Sequence, residues 1–458
     1  MHSPTIKTDK WQLSPTSEQR QYLLATVREY RRLCRFLVTV VCTHWAGIGD
    51  LSSDNIVPAV ERLVHQTAKN PNPNYPQIDR VFPKFPSYLR RAAIMFAVGQ
   101  VSSYMTRYQD WQSGQSRKRR DAKPPTLNPN AGCYPVLYKG QCYKLHGVTE
   151  VEMKVFTGTD WLWIKMPITS VRERHLVATN RLKSPALVVN EQTTHLSVPF
   201  ECHPPKVKGG GVVVAVDLGL NTTATVSVVN LDGTVIQREF IHPGRDIDRR
   251  DQRLKSVSKR ARKTMGKGGK LHKGFCRHTY RKCRHINKQI GHTVSKRIVQ
   301  IANAFSADAI VFENLKGWKP SYGKKKSTLK QRFHGWLKSL IVNLTEEKWA
   351  ELGGKTITVV AAYTSKLAYD GSGQVKRNSQ NYTLATFPSG KQFNADLNGS
   401  FNIAARGILK LTRRKDSEEC SGKSSRHSPR SWACLCDLWA TPSSQISIDT
   451  SASRKQAE

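Results

Sequence analysis

Residues Gly211–Val229 open Gly-Val-Val-Val-Ala-Val-Asp-Leu-Gly-Leu-Asn, and this stretch constrains the fold more than any other. An unbroken β-branched apolar run reads as a buried strand. Asp217 stands where that strand ends. A carboxylate buried beside such a run is costly unless something cationic compensates it. Two readings are open: Asp217 caps a turn with Gly219 and Asn221, or it belongs to a charged site. A second strand of the same kind, Ala309-Ile-Val-Phe312, ends on Glu313. A third carboxylate, Asp396, lies in Asn394-Ala-Asp-Leu-Asn398. A fold that gathers these three acids has room for two divalent cations.

Charge narrows the partner. The 458 residues carry 73 Lys and Arg against 34 Asp and Glu, a formal net charge of +39. Such an excess repels itself unless a polyanion neutralises it, and nucleic acid is the usual polyanion. An anionic membrane is the other choice, but the chain has no long apolar span or signal-peptide pattern, so a cytoplasmic, nucleoid-associated bacterial protein is expected. The length allows roughly two to four domains. The ten cysteines are scattered with no C-x-x-C pair, which suits a reducing cytosol better than a disulfide framework.

In chain order, Ser14 as N-cap with Pro15 at the first helical position predicts a helix. Leu23, Leu24, Val27, Tyr30, Leu33, Leu37 and Val41 form its apolar stripe. A second helix is predicted from about Tyr88 to Trp111, with Ile94, Met95, Val98, Val101, Met105 and Tyr108 inward, running into the basic turn Ser116–Arg120. From about Asn128 to Pro205, short alternating segments such as Val151–Val155, Trp161–Lys165 and Ala186–Val189 predict a small β-barrel or sandwich. Past Asp217, Thr222–Val229 and Gly233–Ile241 form a hairpin through Asp232-Gly233. Three adjacent antiparallel strands with an acid on the first are how ribonuclease-H-like sheets begin. Arg245–Arg297 reads as helical with a break at Gly266–Gly269. Its cations Arg249, Arg250, Arg253, Lys255, Lys259, Arg260, Arg262 and Lys263, set between two acid-bearing strands, favour a nucleic-acid cradle over a merely wet surface. Cys276, Cys283, His285 and His292 match no common zinc spacing and read as ordinary. After Trp318 and a lysine-rich loop through Lys326, a helix Phe333–Glu351, a strand Thr356–Ala361 and a helix Asn402–Leu411 follow. From about Asp416 the Ser-, Lys- and Arg-rich remainder reads as disordered, and its Cys434 and Cys436 are too few for a metal site.

Two-metal phosphodiester cleavage needs carboxylates converging from separate elements on ions roughly 3.5–4 Å apart. One ion activates water for in-line attack and the other stabilises the leaving oxygen. Hard oxygen ligands select Mg²⁺ or Mn²⁺ over zinc. One such acid is weak evidence, but three in the order Asp–Glu–Asp are moderately specific. Strand-transfer transposases of this fold usually run Asp–Asp–Glu, so the order here argues for hydrolysis.

Val212-Val-Val-Ala-Val-Asp217-Leu-Gly resembles the first RuvC motif of TnpB and the type V CRISPR effectors. Ile310-Val-Phe-Glu313-Asn-Leu resembles the second motif, and Asp396-Leu-Asn398-Gly-Ser-Phe-Asn402-Ile-Ala-Ala the third. Tyr363-Thr364-Ser365 matches the family's approach to its zinc ribbon. The resemblance implies an α+β multidomain chain. It would hold a first wedge strand at 1–13, a helical recognition lobe at 14–125 and a β-barrel wedge at 126–208. An RNase H-like (RuvC) nuclease domain would span 209–415, with a degenerate zinc-ribbon insertion at about 364–393, before the tail 416–458. It also implies an RNA-guided DNA endonuclease in which guide RNA pairs with target DNA beside a short adjacent motif. Asp217, Glu313 and Asp396 would then be the Mg²⁺ or Mn²⁺ ligands and catalytic residues. The alternative within the family is guided DNA binding with weak or no cleavage that recruits transposition proteins. A third reading, further from the family, is an unguided transposase that joins strands.

One departure stands out. The family's ribbon carries two C-x-x-C pairs. Alignment on Thr364-Ser365 and on Asp396 puts Ala368, Gly371, Thr386 and Ser389 at the thiolate positions, so zinc is not expected there.

Overall fold

The computed structural model describes residues 4–114, 123–129, 132–177, 179–205, 207–220, 222–265, 270–315, 335–378, 380–412 and 433–439. The basic turn at Arg117–Arg120, Asn221, the Gly266–Gly269 break, Trp318, the lysine-rich loop and the start of the helix expected at Phe333 lie outside them. The chain divides into two compact units, Pro4–Cys202 and a second built from His203 onward.

In the first unit, β1 (Thr5–Leu13) is followed by α1 (Ser17–Thr43), α2 (Trp45–Ile48), α3 (Ser53–Val64), α4 (Gln77–Val81) and α5 (Ser87–Gln112). Strands β2 (Tyr143–His146), β3 (Glu150–Phe156), β4 (Trp161–Ser170), β5 (Arg181–Leu182), β6 (Ala186–Val189) and β7 (Thr194–Cys202) complete it. The sheet runs β2-β3-β4-β1-β7-β5, with β6 also on β7. β1 therefore joins a sheet whose other strands lie far downstream, antiparallel to β7 from Thr5↔Cys202 to Gln12↔His195.

Two sequence expectations are corrected here. The cap of α1 is Thr16, not Ser14: its Oγ1 accepts from the Gln19 amide at 3.2 Å, and Gln19 Oε1 accepts from the Thr16 amide at 3.1 Å. This is a capping box. Ser14 is still tied to the sheet, its amide donating to the Pro167 carbonyl. Leu24 and Met95 are exposed rather than inward. Each lies one residue, about 100° of helix rotation, off the stripe that buries Leu23, Val27, Ile94 and Val98.

The second unit opens with β8 (Val212–Asp217), β9 (Ala224–Asn230), β10 (Val235–Ile241), α6 (Gly244–Met265), α7 (Arg277–Ala304) and β11 (Ala309–Glu313). It continues through α8 (Lys338–Glu351), β12 (Thr356–Val359), β13 (Lys376–Arg377), β14 (Leu384–Thr386), β15 (Gln392–Asn394), α9 (Ala395–Leu411) and α10 (Cys436–Trp439). The main sheet runs β10-β9-β8-β11-β12. Its first three strands pair antiparallel, and β8, β11 and β12 are parallel.

β8 is buried on both faces, which is why its sequence shows no polar alternation. Val212, Val214 and Val216 pack with Ile290, Val294 and Ile298 of α7 and with Ile341 and Trp349 of α8. Val213 and Ala215 face Phe401, Ala404 and Ile408 of α9. The helix expected from Asn402 thus begins about two turns earlier, where Asn394 caps it by accepting from the Asp396 and Leu397 amides.

Between β12 and α9 the chain makes a small three-stranded sheet, β13-β14-β15. Its core is Ala368, Ala385, Phe387 and Ala395, with Tyr369, Val375 and Phe393 packed against them. The expectation of disorder from Asp416 onward is corrected at 433–439. Ala433, Cys434, Leu435 and Leu438 are buried, because Leu435 and Leu438 join the apolar cluster of β8, β11 and α9.

Candidate active site

The register of the main sheet aligns the first two acids. Val216 of β8 lies opposite Phe312 of the parallel strand β11. The residues that follow, Asp217 and Glu313, close their strands at the same end of the sheet, still paired to Thr225 and Val359, on strands about 4.8 Å apart. Asp396 sits in the first turn of α9, and Gly399, one turn on, touches Asp217. A Cβ built at Gly399 would lie 2.7 Å from Asp217 Oδ2.

The three acids therefore share one electrostatic neighbourhood. Burial pushes the Asp217 carboxyl well above the usual carboxylate range, and the charges of Glu313 and then Asp396 push it further. Burial also raises Glu313, which the Thr364 hydroxyl and the Arg406 guanidinium draw part of the way back. Asp396 is raised by burial and drawn back by Arg377, then by the Thr222 hydroxyl. Desolvation and like-charge repulsion both disfavour the ionised form, and both act on Asp217. The reading of Asp217 as an ordinary turn cap accounts for neither effect.

A hydrogen-bonded shell holds Glu313. Thr364 Oγ1 donates to Glu313 Oε1. The turn carrying Thr364 is fixed from α9: Asn402 Nδ2 donates to the carbonyls of Thr364 and Leu367 at 2.9 and 2.8 Å. Asn398 Nδ2 donates to the Leu367 carbonyl at 2.7 Å, and its Oδ1 accepts from the Tyr369 amide at 2.8 Å. Buried Arg406 donates to the carbonyls of Val360 and Ala362. Sequence reasoning missed Asn398, Asn402 and Arg406 as positioning residues. Polar side chains at i, i+4 and i+8 of an otherwise apolar helix were the available signal.

The acids offer oxygen donors only, and unbalanced negative charge in a half-buried setting is the chemistry a hard divalent cation suits. Among the described residues, no group of three or more His, Cys, Asp or Glu side chains stands in metal-holding geometry. The fit is thus one of donor chemistry and shared location rather than of a preformed cage.

Of the eight cations expected to bind nucleic acid, all lie on α6. Arg249, Lys255, Lys259, Arg260, Arg262 and Lys263 are exposed and Arg253 half-exposed. Arg250 is the exception and is corrected: it is buried and donates to Asp251 at 2.8 Å, Asn287 of α7 at 3.3 Å and the Gly335 carbonyl at 2.9 Å. It falls on the inward stripe with Val257, so its charge ties helices together. Arg250→Ala is expected to destabilise the unit by about 2–3 kcal/mol, read as a lower denaturant midpoint at unchanged slope. Arg253→Glu with Lys259→Glu should leave the midpoint unchanged within about 0.5 kcal/mol and flatten the salt dependence of nucleic-acid binding.

No helix among the described residues is long and apolar enough to cross a membrane. Residues 7–157 match the model of the Aq_aa04 family. The chain is 26% identical over 237 residues to the TnpB-like protein aq_aa05 of Aquifex aeolicus (strain VF5), covering 48% of this chain and 76% of that one. Its fold resembles the mini-RNA-guided endonuclease CRISPR-Cas_phi3 with a TM-score of 0.54 at 11% identity, over 89% of this chain and 93% of that one. It also resembles Cas12f1, solved with single-guide RNA and target DNA, with a TM-score of 0.50 at 13% identity, over 84% and 81%. The chain is therefore similar over about half its length to a TnpB-like protein and shares the mixed α+β fold of these RNA-guided effectors.

Proposed function

We propose that this protein is an RNA-guided DNA endonuclease of TnpB or type V kind, cutting target DNA at a RuvC-type site formed by Asp217, Glu313 and Asp396. What supports the reading is the strand register that sets Asp217 beside Glu313, the close approach of the first turns of α9 to Asp217, and the raising of Asp217 by both other acids. Two arginines, Arg377 and Arg406, stand near three carboxylates, which leaves negative charge for a ligand to balance. Mg²⁺ or Mn²⁺ bound there would activate water and neutralise charge on the leaving oxygen. The protein's own part is to hold the ligands: Thr364 fixes the Glu313 carboxylate, and Asn398 and Asn402 fix the turn that bears Thr364.

In this reading the main sheet with α6–α9 is the nuclease domain, residues 14–125 form the recognition lobe, and 126–208 with the first strand form the wedge. The exposed cations of α6 would line a path for heteroduplex or displaced strand, read by backbone and shape. Guide RNA and target DNA are the partners.

Gly399 gives a test that leaves every acid in place. Its missing side chain is what lets α9 lie against Asp217. Gly399→Ala must move that carboxylate, and misplacement of about 1 Å costs on the order of 100-fold in rate. Guided cleavage should fall by that order while target occupancy on a gel stays at the wild-type level. Unchanged cleavage would mean that the Asp217 position does not matter to the chemistry.

The second reading, guided binding without cutting, is favoured by the insertion at about 364–393, where Ala368, Gly371, Thr386 and Ser389 stand at the expected thiolate positions. An assay with matched target, Mg²⁺ and copurified RNA separates the two. Persistent occupancy with no product supports the binder.

A further inference from the structure

The excursion Thr364–Asn394 passes directly in front of the acids, and its own contacts hold it only in part. The β13–β15 sheet pairs two or three residues per strand, and its core is three alanines and one phenylalanine. A hairpin of this size is marginal by itself and needs packing or a staple. The Arg377 guanidinium, carried on β13, draws down both Asp217 and Asp396, so the seating of this excursion bears on the site.

A segment from far downstream lies on it. The Cys436 amide donates to the Tyr369 carbonyl at 3.0 Å. Cys436 Sγ fills the space beside Gly371, where a Cβ would approach it to 2.6 Å. The Trp439 ring meets Tyr369 edge-on at 6.4 Å, and its indole Nε1 donates to the Gly233 carbonyl at 3.3 Å. A Cβ at Gly233 would stand 2.9 Å from that indole. Two glycines with positive φ, Gly233 in the β9–β10 turn and Gly371 in the excursion, therefore leave room for two side chains of the same segment. Between them Leu435 and Leu438 are buried among β8, β11 and α9. At the segment's start, the Ala433 carbonyl accepts from Arg406 Nε at 3.3 Å, on the side chain that also bonds the chain between β12 and Thr364.

We infer that Ala433–Trp439 is an intramolecular clamp, taking the place of a metal ion in fixing the 364–394 excursion over the acids, and that Leu438 and Trp439 are positioning residues for cleavage. The inference rests on the nuclease reading for its effect on rate, but not for its effect on structure. The segment's two thiols do not argue for a metal instead. Two thiols by themselves are too few to hold such an ion. The free energy comes from burying Leu435 and Leu438, while Trp439, half exposed, holds through its contacts with Tyr369 and Gly233.

The test uses the full chain with its copurified RNA, comparing wild type with Trp439→Ala, Trp439→Phe and Leu438→Ala. Two readouts are taken: guided cleavage against guided binding, and limited proteolysis within 376–394. The clamp predicts new cutting by protease in that interval for Trp439→Ala and Leu438→Ala. It also predicts target cleavage lowered by roughly 10- to 100-fold with binding within about twofold, and recovery of both in Trp439→Phe. Wild-type protection of 376–394 in both alanine variants overturns it. So does a loss of binding and cleavage together with no selective proteolysis, which is general destabilisation. If wild type itself leaves matched target uncut in Mg²⁺, the nuclease reading fails, and the proteolysis arm still decides the clamp.

Discussion

Asp217→Ala is expected to abolish cleavage of a guide-matched target and to leave guided binding intact. Asp217 is the acid that feels both of the others, so its loss removes the shared member of the ligand set. A metal-stabilised phosphodiester transition state depends on several kcal/mol from its ions, on the order of 10³-fold or more in rate. The side chain lies at the end of β8, beyond the last buried valine. Binding is carried by other surfaces, among them the exposed arginines and lysines of α6. The check is a cleavage time course beside a filter-binding titration on the same preparation. Residual cleavage within about tenfold of wild type would remove Asp217 from the chemistry.

The second large effect is on stability and has the opposite sign. Asp217→Asn makes the protein more stable at neutral pH, by on the order of 1–3 kcal/mol, because it removes a carboxylate that burial and two like charges hold in an unfavourable state. An acid whose pKa is higher folded than unfolded binds its proton more tightly when folded. The stability it contributes is present in full below the ordinary aspartate value and is lost as pH rises through the raised one. Wild type should therefore lose stability relative to Asp217→Asn as pH climbs from about 4 toward neutrality. Mg²⁺ should reverse this, raising the wild-type Tm by mass action on the folded state and moving the Asn variant much less. Parallel Tm profiles for the two proteins across pH and Mg²⁺ would mean the three charges do not meet.

Asp217 and Glu313 were legible as candidates because each ends a run whose apolar character is unmistakable, whereas Asp396 opens a helix and was singled out only as a third carboxylate. Val212–Val216 and Ala309–Phe312 can only be buried strands, and the position just past a buried strand is where a polar side chain can reach a site. What brings them level is the parallel register of β8 and β11, which rests on pairing between segments almost a hundred residues apart and leaves no local trace. Arg250 shows the converse limit. In a run of cations, the one that turns inward is distinguished only by its helical phase with Val257, and composition outweighed that signal. Leu24 and Met95 failed for a similar reason: a generous stripe takes in its neighbour. Thr16 was passed over because Ser-Pro is a strong start signal, although Thr-x-x-Gln one turn on supplies both halves of a capping box. The clamp at 433–439 was hidden by its surroundings. Four buried residues in a polar tail have too little periodicity to stand out until the surface they cover is known.

Reprogramming the guide tests the central claim most directly. The protein is purified with its RNA, the bound RNA is sequenced, and its targeting portion is exchanged for an unrelated sequence. Duplex DNA matching either guide is then offered with and without Mg²⁺. If Asp217, Glu313 and Asp396 form one guided, metal-dependent site, the cut moves with the guide and vanishes without the ion. Cutting that ignores the guide, or a preparation that carries no discrete RNA, would contradict it.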